Sequence, residues 1–217
     1  MATQLRLYKG ALRVLGETTI TALTDVRPAV AVMDEIWADG FRDLVLQAGL
    51  WNFPMKTVQI EYTGDLTPDF GPQYAFDKPT DWLRTAAVSA NEDFIPALTE
   101  REDGLGYWDE QDYWFANYTT LYVKYISNDT DYGYDLSRWP ANFTQYAEHM
   151  LAALGAERIT QNRVKKGDML QLADTWLSKA QDTDAMNQTA KLQPSGSWSA
   201  ARLSGGRGLS LVNGTWR

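Results

Sequence analysis

"WNFPMKTVQIEY", residues 51–62, changes its hydrophobic period partway through. Before it, Val30, Met33, Trp37, Phe41, Leu44 and Ala48 recur at three and four residues, the repeat of one helix face. After Pro54, Val58, Ile60 and Tyr62 alternate with Thr57, Gln59 and Glu61, the repeat of a half-exposed strand. The stretch is therefore a seam where helix gives way to extended chain. A second seam, "YAFDKPTDWLR" at residues 74–84, again sets aromatics beside a proline. Trp51, Phe53, Pro79 and Trp82 are the candidate residues that set the chain's direction at these two places.

Working towards the N-terminus, the long periodic segment predicts one unbroken helix to Gly49, with Asp25 as its N-cap and Pro28 in its first turn. Leu5, Tyr8, Leu12 and Leu15 predict a shorter helix stopped by Gly16. Towards the C-terminus, "DWLRTAAV" (81–88) and "TTLYVKYIS" (119–127) are rich in aromatic and β-branched residues and predict strands. "EREDGLGYWDEQD" (100–112) reads as an exposed hairpin or loop. Helix returns with Ser137 as cap and Pro140 in the first turn, and Phe143, Ala147, Met150 and Leu154 form its stripe. Thr160 is expected to cap a last helix in which Met169, Leu172, Trp176 and Ala180 share a face.

The expected fold is α+β and mainly α: a bundle of about four helices with a β-rich insertion and an extended C-terminal arm. Residues 1–50 and 137–190 form the two parts of the bundle, 51–136 the inserted lobe, and 191–217 the flexible arm.

The chain has 217 residues, 44% of them hydrophobic, enough for one substantial core. It contains no cysteine and one histidine, which excludes disulfides, thiolate chemistry and the usual zinc ligand sets. The start, "MATQLRLYKGALRVLG", lacks the apolar run and cleavage site of a secretory leader, and no window is long and apolar enough to span a membrane. A soluble chain made in a cytoplasm is expected. The formal charge is −8, unevenly spread. Residues 191–217 hold Lys191, Arg202, Arg207 and Arg217 and no acid; removing those four from 20 basic residues leaves 16 against 28 acidic, a body of −12. Such a body repels nucleic-acid phosphates.

Little in the sequence carries catalysis. His149, the single histidine, sits one residue from a stripe position and reads as part of a packed face. No G-x-S-x-G elbow is present, and "LSGGRG" (203–208) lacks the Gly-Lys-Ser/Thr of a phosphate loop. No catalytic residue, metal ligand or cofactor is expected. The enzymatic alternative is a glycan-binding or glycan-hydrolysing protein using "YWDEQDYW" (107–114), where Asp109, Glu110 and Asp112 lie among four aromatics. The plainer reading of that stretch is a solvated turn with its aromatics packed beneath.

"LRVLGETTITAL" (12–23), followed by a long helix ending in "LWNFP" (50–54), resembles the start of the tail tubular protein A family, the head-to-tail adaptors of short-tailed bacteriophages. That family has a Leu-Gly-Glu turn, an apolar loop and a helix closing on Trp-x-Phe, matched here by Leu15, Gly16, Glu17, Trp51 and Phe53. Its aromatic-x-x-x-Pro-x-Asp-x-x-Arg element is similar to Phe76, Pro79, Asp81 and Arg84, although the aromatic here stands three residues before the proline. A tyrosine-rich strand, an alanine-rich helix and a closing helix with Trp176, Ala180, Asp184 and Ala185 follow in order, so the resemblance covers about residues 5–187. Pro54 stands where the family usually has a small residue, and the glycine-rich arm has no fixed counterpart to align with.

The resemblance implies a non-enzymatic ring of twelve subunits in the virion tail. Its partners would be the portal protein and the tail nozzle protein, with tail fibres as a further candidate. Double-stranded DNA would pass through without sequence-specific binding, as the acidic body favours. The arm's basic charge and its Trp198, Arg202, Arg207, Leu209, Val212 and Trp216 are read as a segment that orders on the portal.

Overall fold

The computed structural model describes residues 1–64, 66, 68, 70–94, 98 and 106–187. The arm, with Trp198, Arg202, Arg207, Leu209 and Trp216, lies outside the described residues, as does the 100–105 part of the expected hairpin. Met1–Asn187 is one compact unit. Its elements run α1 (Gln4–Leu15), α2 (Pro28–Ala38), α3 (Phe41–Gln47), β1 (Met55–Glu61), β2 (Tyr74–Asp77), β3 (Trp82–Ser89), β4 (Tyr107–Asp109), β5 (Tyr113–Ala116), β6 (Thr120–Ser127), a 3-10 turn (Leu136–Arg138), α4 (Ala141–Thr160) and α5 (Arg163–Met186). The fold is mixed α and β, with the described strands all between two sets of helices. No helix among the described residues is long and apolar enough to cross a membrane.

α1 starts on Thr3, whose hydroxyl accepts the Arg6 amide at 3.2 Å, and ends at Gly16 in the left-handed region, φ 75°. The expected long helix is two. Gly40, at φ 89°, adopts a conformation that a β-carbon disfavours, and the chain turns there between α2 and α3. Apolar spacing persists on both sides of the break, which is why periodicity alone reads through it. α2 begins after Arg27 rather than on an Asp25 cap, because Asp25 is turned to the Arg27 guanidinium at 2.7 Å.

Two further caps differ from expectation. Asp135 caps the 3-10 turn through the Ser137 amide at 3.0 Å, and α4 begins only after Pro140, which cannot donate an amide. Thr160 is the last residue of α4, with its hydroxyl on the Ala156 carbonyl at 2.7 Å, and Asn162 caps α5 instead. Asn162 accepts from the amides of Val164 and Lys165.

α4 is the central helix, buried on most of its circumference by Phe143, Tyr146, Ala147, Leu151, Ala152 and Ala156. On α5 the inward face carries Met169, Ala173, Trp176, Leu177 and Ala180, while Leu172 is exposed, one position off the expected stripe. β1, β6 and β3 form one antiparallel sheet in that order; β2, β5 and β4 form a second. β2 was not expected as a strand. Phe76, Val88, Trp114, Ala116, Leu121, Val123 and Tyr125 fill the space between the sheets, apart from the larger helical core.

Glu148, 2% exposed, is buried on α4 and faces Arg13 of α1 at 3.5 Å. Burial raises its pKa; Arg13, Arg6, His149 and Gln145 oppose the shift without cancelling it. A raised folded-state pKa favours the folded state below the unfolded value, about 4.3, and that contribution is lost as pH rises through the folded pKa. Glu148→Gln is therefore expected to raise Tm at pH 7, by about 2–4 °C per kcal/mol relieved, and to lose this advantage near pH 4. Thermal unfolding of both proteins at the two pH values checks this.

Candidate functional site: the joint between helices and sheets

The first seam is a buried aromatic cluster. Trp51, 1% exposed, meets Phe143 edge-on at 4.9 Å, and Phe53 meets the same ring at 4.9 Å from another side. Trp139 closes on Phe143 at 4.8 Å. The Trp51 indole N–H has no hydrogen-bond partner among the described residues, so this tryptophan acts by shape and area. Between Trp51 and Phe53, the Asn52 amide donates to both carboxylate oxygens of Asp184 on α5, at 3.0 and 3.2 Å. The Asn52 side chain donates to the Asp184 carbonyl at 2.9 Å. Burial raises the Asp184 pKa, and the Asn52 bonds oppose that. The seam that leaves α3 is thus clasped by the end of the last helix.

The second seam is a polar hub. Asp81, just before β3, accepts from Lys56 of β1 at 2.8 Å and from Tyr125 and Ser127 of β6 at 3.1 and 2.6 Å. Burial alone would raise its pKa, but these three donors hold it below the ordinary carboxylate range. The same contact raises the Lys56 pKa. Lys56 also reaches Asp129 at 3.4 Å, tying in the chain that leaves β6.

Register shifts between Trp82 and Arg84, and again between Thr85 and Ala87, bend β3 against β6. Trp82 packs against the sheet core while Leu83 packs against the helical core. Arg84 extends to the Gln47 carbonyl at the end of α3, at 3.0 Å. Pro79 sets the turn into β3, its carbonyl accepting the Trp82 amide at 3.0 Å.

A third contact straps the exit from β6 to α3. The Tyr134 hydroxyl donates to Asp43 at 2.7 Å, and the Arg42 guanidinium lies 3.6 Å from the Tyr134 ring centre. Gly133 passes so close that a β-carbon there would lie 2.3 Å from the Ser127 carbonyl oxygen. Of the expected seam residues, Trp51 and Phe53 thus pack in the helical core, Trp82 packs against the sheet core, and Pro79 turns the chain into β3.

The acidic-aromatic stretch is part of a hairpin. The Lys78 ammonium, with 4% of its side chain exposed, pairs with Asp109 at 2.5 Å and also donates to the Glu110 carbonyl. It lies 3.7 Å from the centre of Trp82 and 5.4 Å from that of Trp114. Trp114 is fully buried and donates to Thr85 at 2.9 Å; Trp108 is half-buried against Gly71 and Phe70. Asp109 is engaged in holding the β4–β5 hairpin to the second seam. His149 sits 8% exposed, with Nδ1 2.8 Å from the Gln145 carbonyl and its ring against Trp176.

Lys56, Ser127, Asp129 and the Asn52–Asp184 contact escaped the sequence reading. One signal was available: Lys56 and Ser127 fall on the same alternation as Val58 and Ile60 and as Val123 and Tyr125. A lysine and a serine at core positions of two strands call for a shared buried acceptor, and Asp81 supplies it. The chain matches no family model and no curated protein.

Proposed function

We propose that this chain is a structural head-to-tail connector of a bacteriophage virion, forming a ring between portal and tail nozzle and lining the channel through which double-stranded DNA passes. The helices act as a bundle forming the ring wall, residues 51–136 as an inserted lobe, and the arm as the portal contact. No chemical step enters this reading.

The observation that carries it is where the residues of the resemblance lie. Trp51 and Phe53 flank Asn52, which is clasped by Asp184. Arg84 closes on the end of α3, and Asp81 gathers β1 and β6. Residues scattered through the sequence thus tie down the chain on both sides of the two seams, and Arg84 links β3 directly to the end of α3. A ring whose copies must close needs such a joint, since a small error per subunit accumulates around the circle. The Lys78–Asp109 pair weighs against the glycan-active alternative, because that carboxylate is already engaged within the chain.

The test is mass in solution. Mixed with portal rings of the same virus, the chain is expected to co-sediment with them at a fixed ratio, whereas alone in dilute, low-salt buffer it stays mostly monomeric because its −12 body repels itself. Cleavage of polysaccharide that disappears in the Asp109→Asn, Glu110→Gln protein would replace this reading with the glycan-active one.

A further inference from the structure

The loop between α1 and α2 ends in an apolar tip. Val26 is 99% exposed and Leu23 is 37% exposed, yet the loop around them is anchored at both ends. Ile20 is buried in the helical core. The Arg27 guanidinium donates to the carbonyls of Thr18 and Thr19 at 3.2 and 2.9 Å and to Asp25 at 2.7 Å. A bare valine on a loop stapled by three hydrogen bonds is a presented knob.

At the other end of α2, the break at Gly40 opens a notch of about 340 Å³. Ile36, Phe41, Leu44 and Leu154 line it, with Glu35, Asp39 and Arg158 at its edge. Leu44 is 47% exposed there. A cavity of about 150 Å³ accommodates benzene, so the notch has room for aliphatic side chains. α2 has 11 residues, which at about 1.5 Å per residue sets knob and notch roughly 16 Å apart along its axis.

We infer that copies of this chain meet head to tail through α2, with Val26 and Leu23 of one copy seated in the Ile36–Leu44–Leu154 notch of the next. A knob and notch at opposite ends of one helix make a heterologous contact, which repeats around a ring instead of ending at a dimer. Charge favours a second copy as the occupant. The body carries −12, so most of its surfaces repel one another. At these two ends most charges are paired within the chain, Asp25 with Arg27 beside the knob and Glu35 with Arg158 beside the notch, which leaves Asp39 as the one notch-lining charge without an ion pair among the described residues. Head-to-tail stacking also brings the positive end of one helix dipole towards the negative end of the next. A ring that closes on a template does not need each subunit contact to reach the roughly 1,000 Å² of a stable free interface. The inference rests on the ring reading and specifies its subunit contact.

The cysteine-free chain permits a direct trap. Val26→Cys and Leu44→Cys are introduced singly and together, and the concentrated proteins are oxidised, free and in the presence of portal rings, and resolved in denaturant. A disulfide needs Cα atoms within about 7 Å, so the length of α2 keeps the pair from closing within one chain. The double variant is expected to give a ladder of trimers and larger species, while each single variant gives dimers at most. Adding Val26→Asp to a Leu44→Cys, Leu23→Cys protein should cut its ladder at least tenfold. No species above dimer from the double variant overturns the contact. If the unmodified chain still forms multimers at that concentration, only the contact fails; if it stays monomeric and also adds nothing to portal rings, the ring reading fails too.

Discussion

Trp51→Ala is expected to lower Tm by on the order of 10 °C, reflecting a loss of about 3–5 kcal/mol for removing a large buried aromatic. Trp51 touches both Phe53 and Phe143, and no polar bond of its indole compensates for lost packing. Trp51→Phe gives up area but also removes a buried N–H without a partner, so it should lose less than half as much. Thermal unfolding of both variants decides the matter. Equal losses would mean that the indole N–H matters after all and that the seam is not held by shape.

Asp81→Ala should be comparably severe, on the order of 3 kcal/mol, because it removes the acceptor shared by two hydroxyls and a lysine ammonium in a partly buried site and leaves Lys56 only the longer Asp129 contact at 3.4 Å. The wild-type hub also has a pH signature. Lys56, Ser127 and Tyr125 hold the folded-state pKa of Asp81 below its unfolded value, overcoming the effect of burial. Its contribution is therefore present above about pH 4 and is lost as pH falls through the depressed folded value. The gap between wild type and Asp81→Ala in denaturant unfolding should be full at pH 7 and shrink below pH 4. A gap independent of pH would assign the loss to packing and not to the ionised carboxylate.

Much of the fold was legible because local period dominates where one face is buried. The switch at Trp51 separates α3 from β1, and Leu121, Val123 and Tyr125 alternate into the sheet core as strand spacing requires. The break at Gly40 was not legible, since a glycine within an intact apolar stripe is tolerated in many helices and only tertiary packing decides. β2 escaped because four residues are too few to show a period, and its pairing partner β5 lies far along the chain. The caps failed for a related reason. Asp25, Ser137 and Thr160 are good cap residues, but each side chain's choice depended on a neighbour: Arg27, Asp135 and the Ala156 carbonyl.

The joint shows the same division. Aromatics beside prolines marked Trp51, Phe53, Pro79 and Trp82 as special, since bulky residues at a change of period have few other reasons to be there. What they hold together was not visible, because Asp184 is 132 residues from Asn52 and Ser127 is 46 from Asp81. Spacing in the sequence carries no trace of such pairs.

The joint between helices and sheets is proposed to serve assembly on a portal. Averaged electron micrographs of portal rings, taken with and without the full chain, address it most directly. An added ring of density is expected on one face of the portal, coaxial with its channel, and it is expected to be lost or blurred with Asp81→Ala or Trp51→Ala at temperatures where those variants remain folded. Portal images unchanged by an excess of the folded wild-type chain would contradict it.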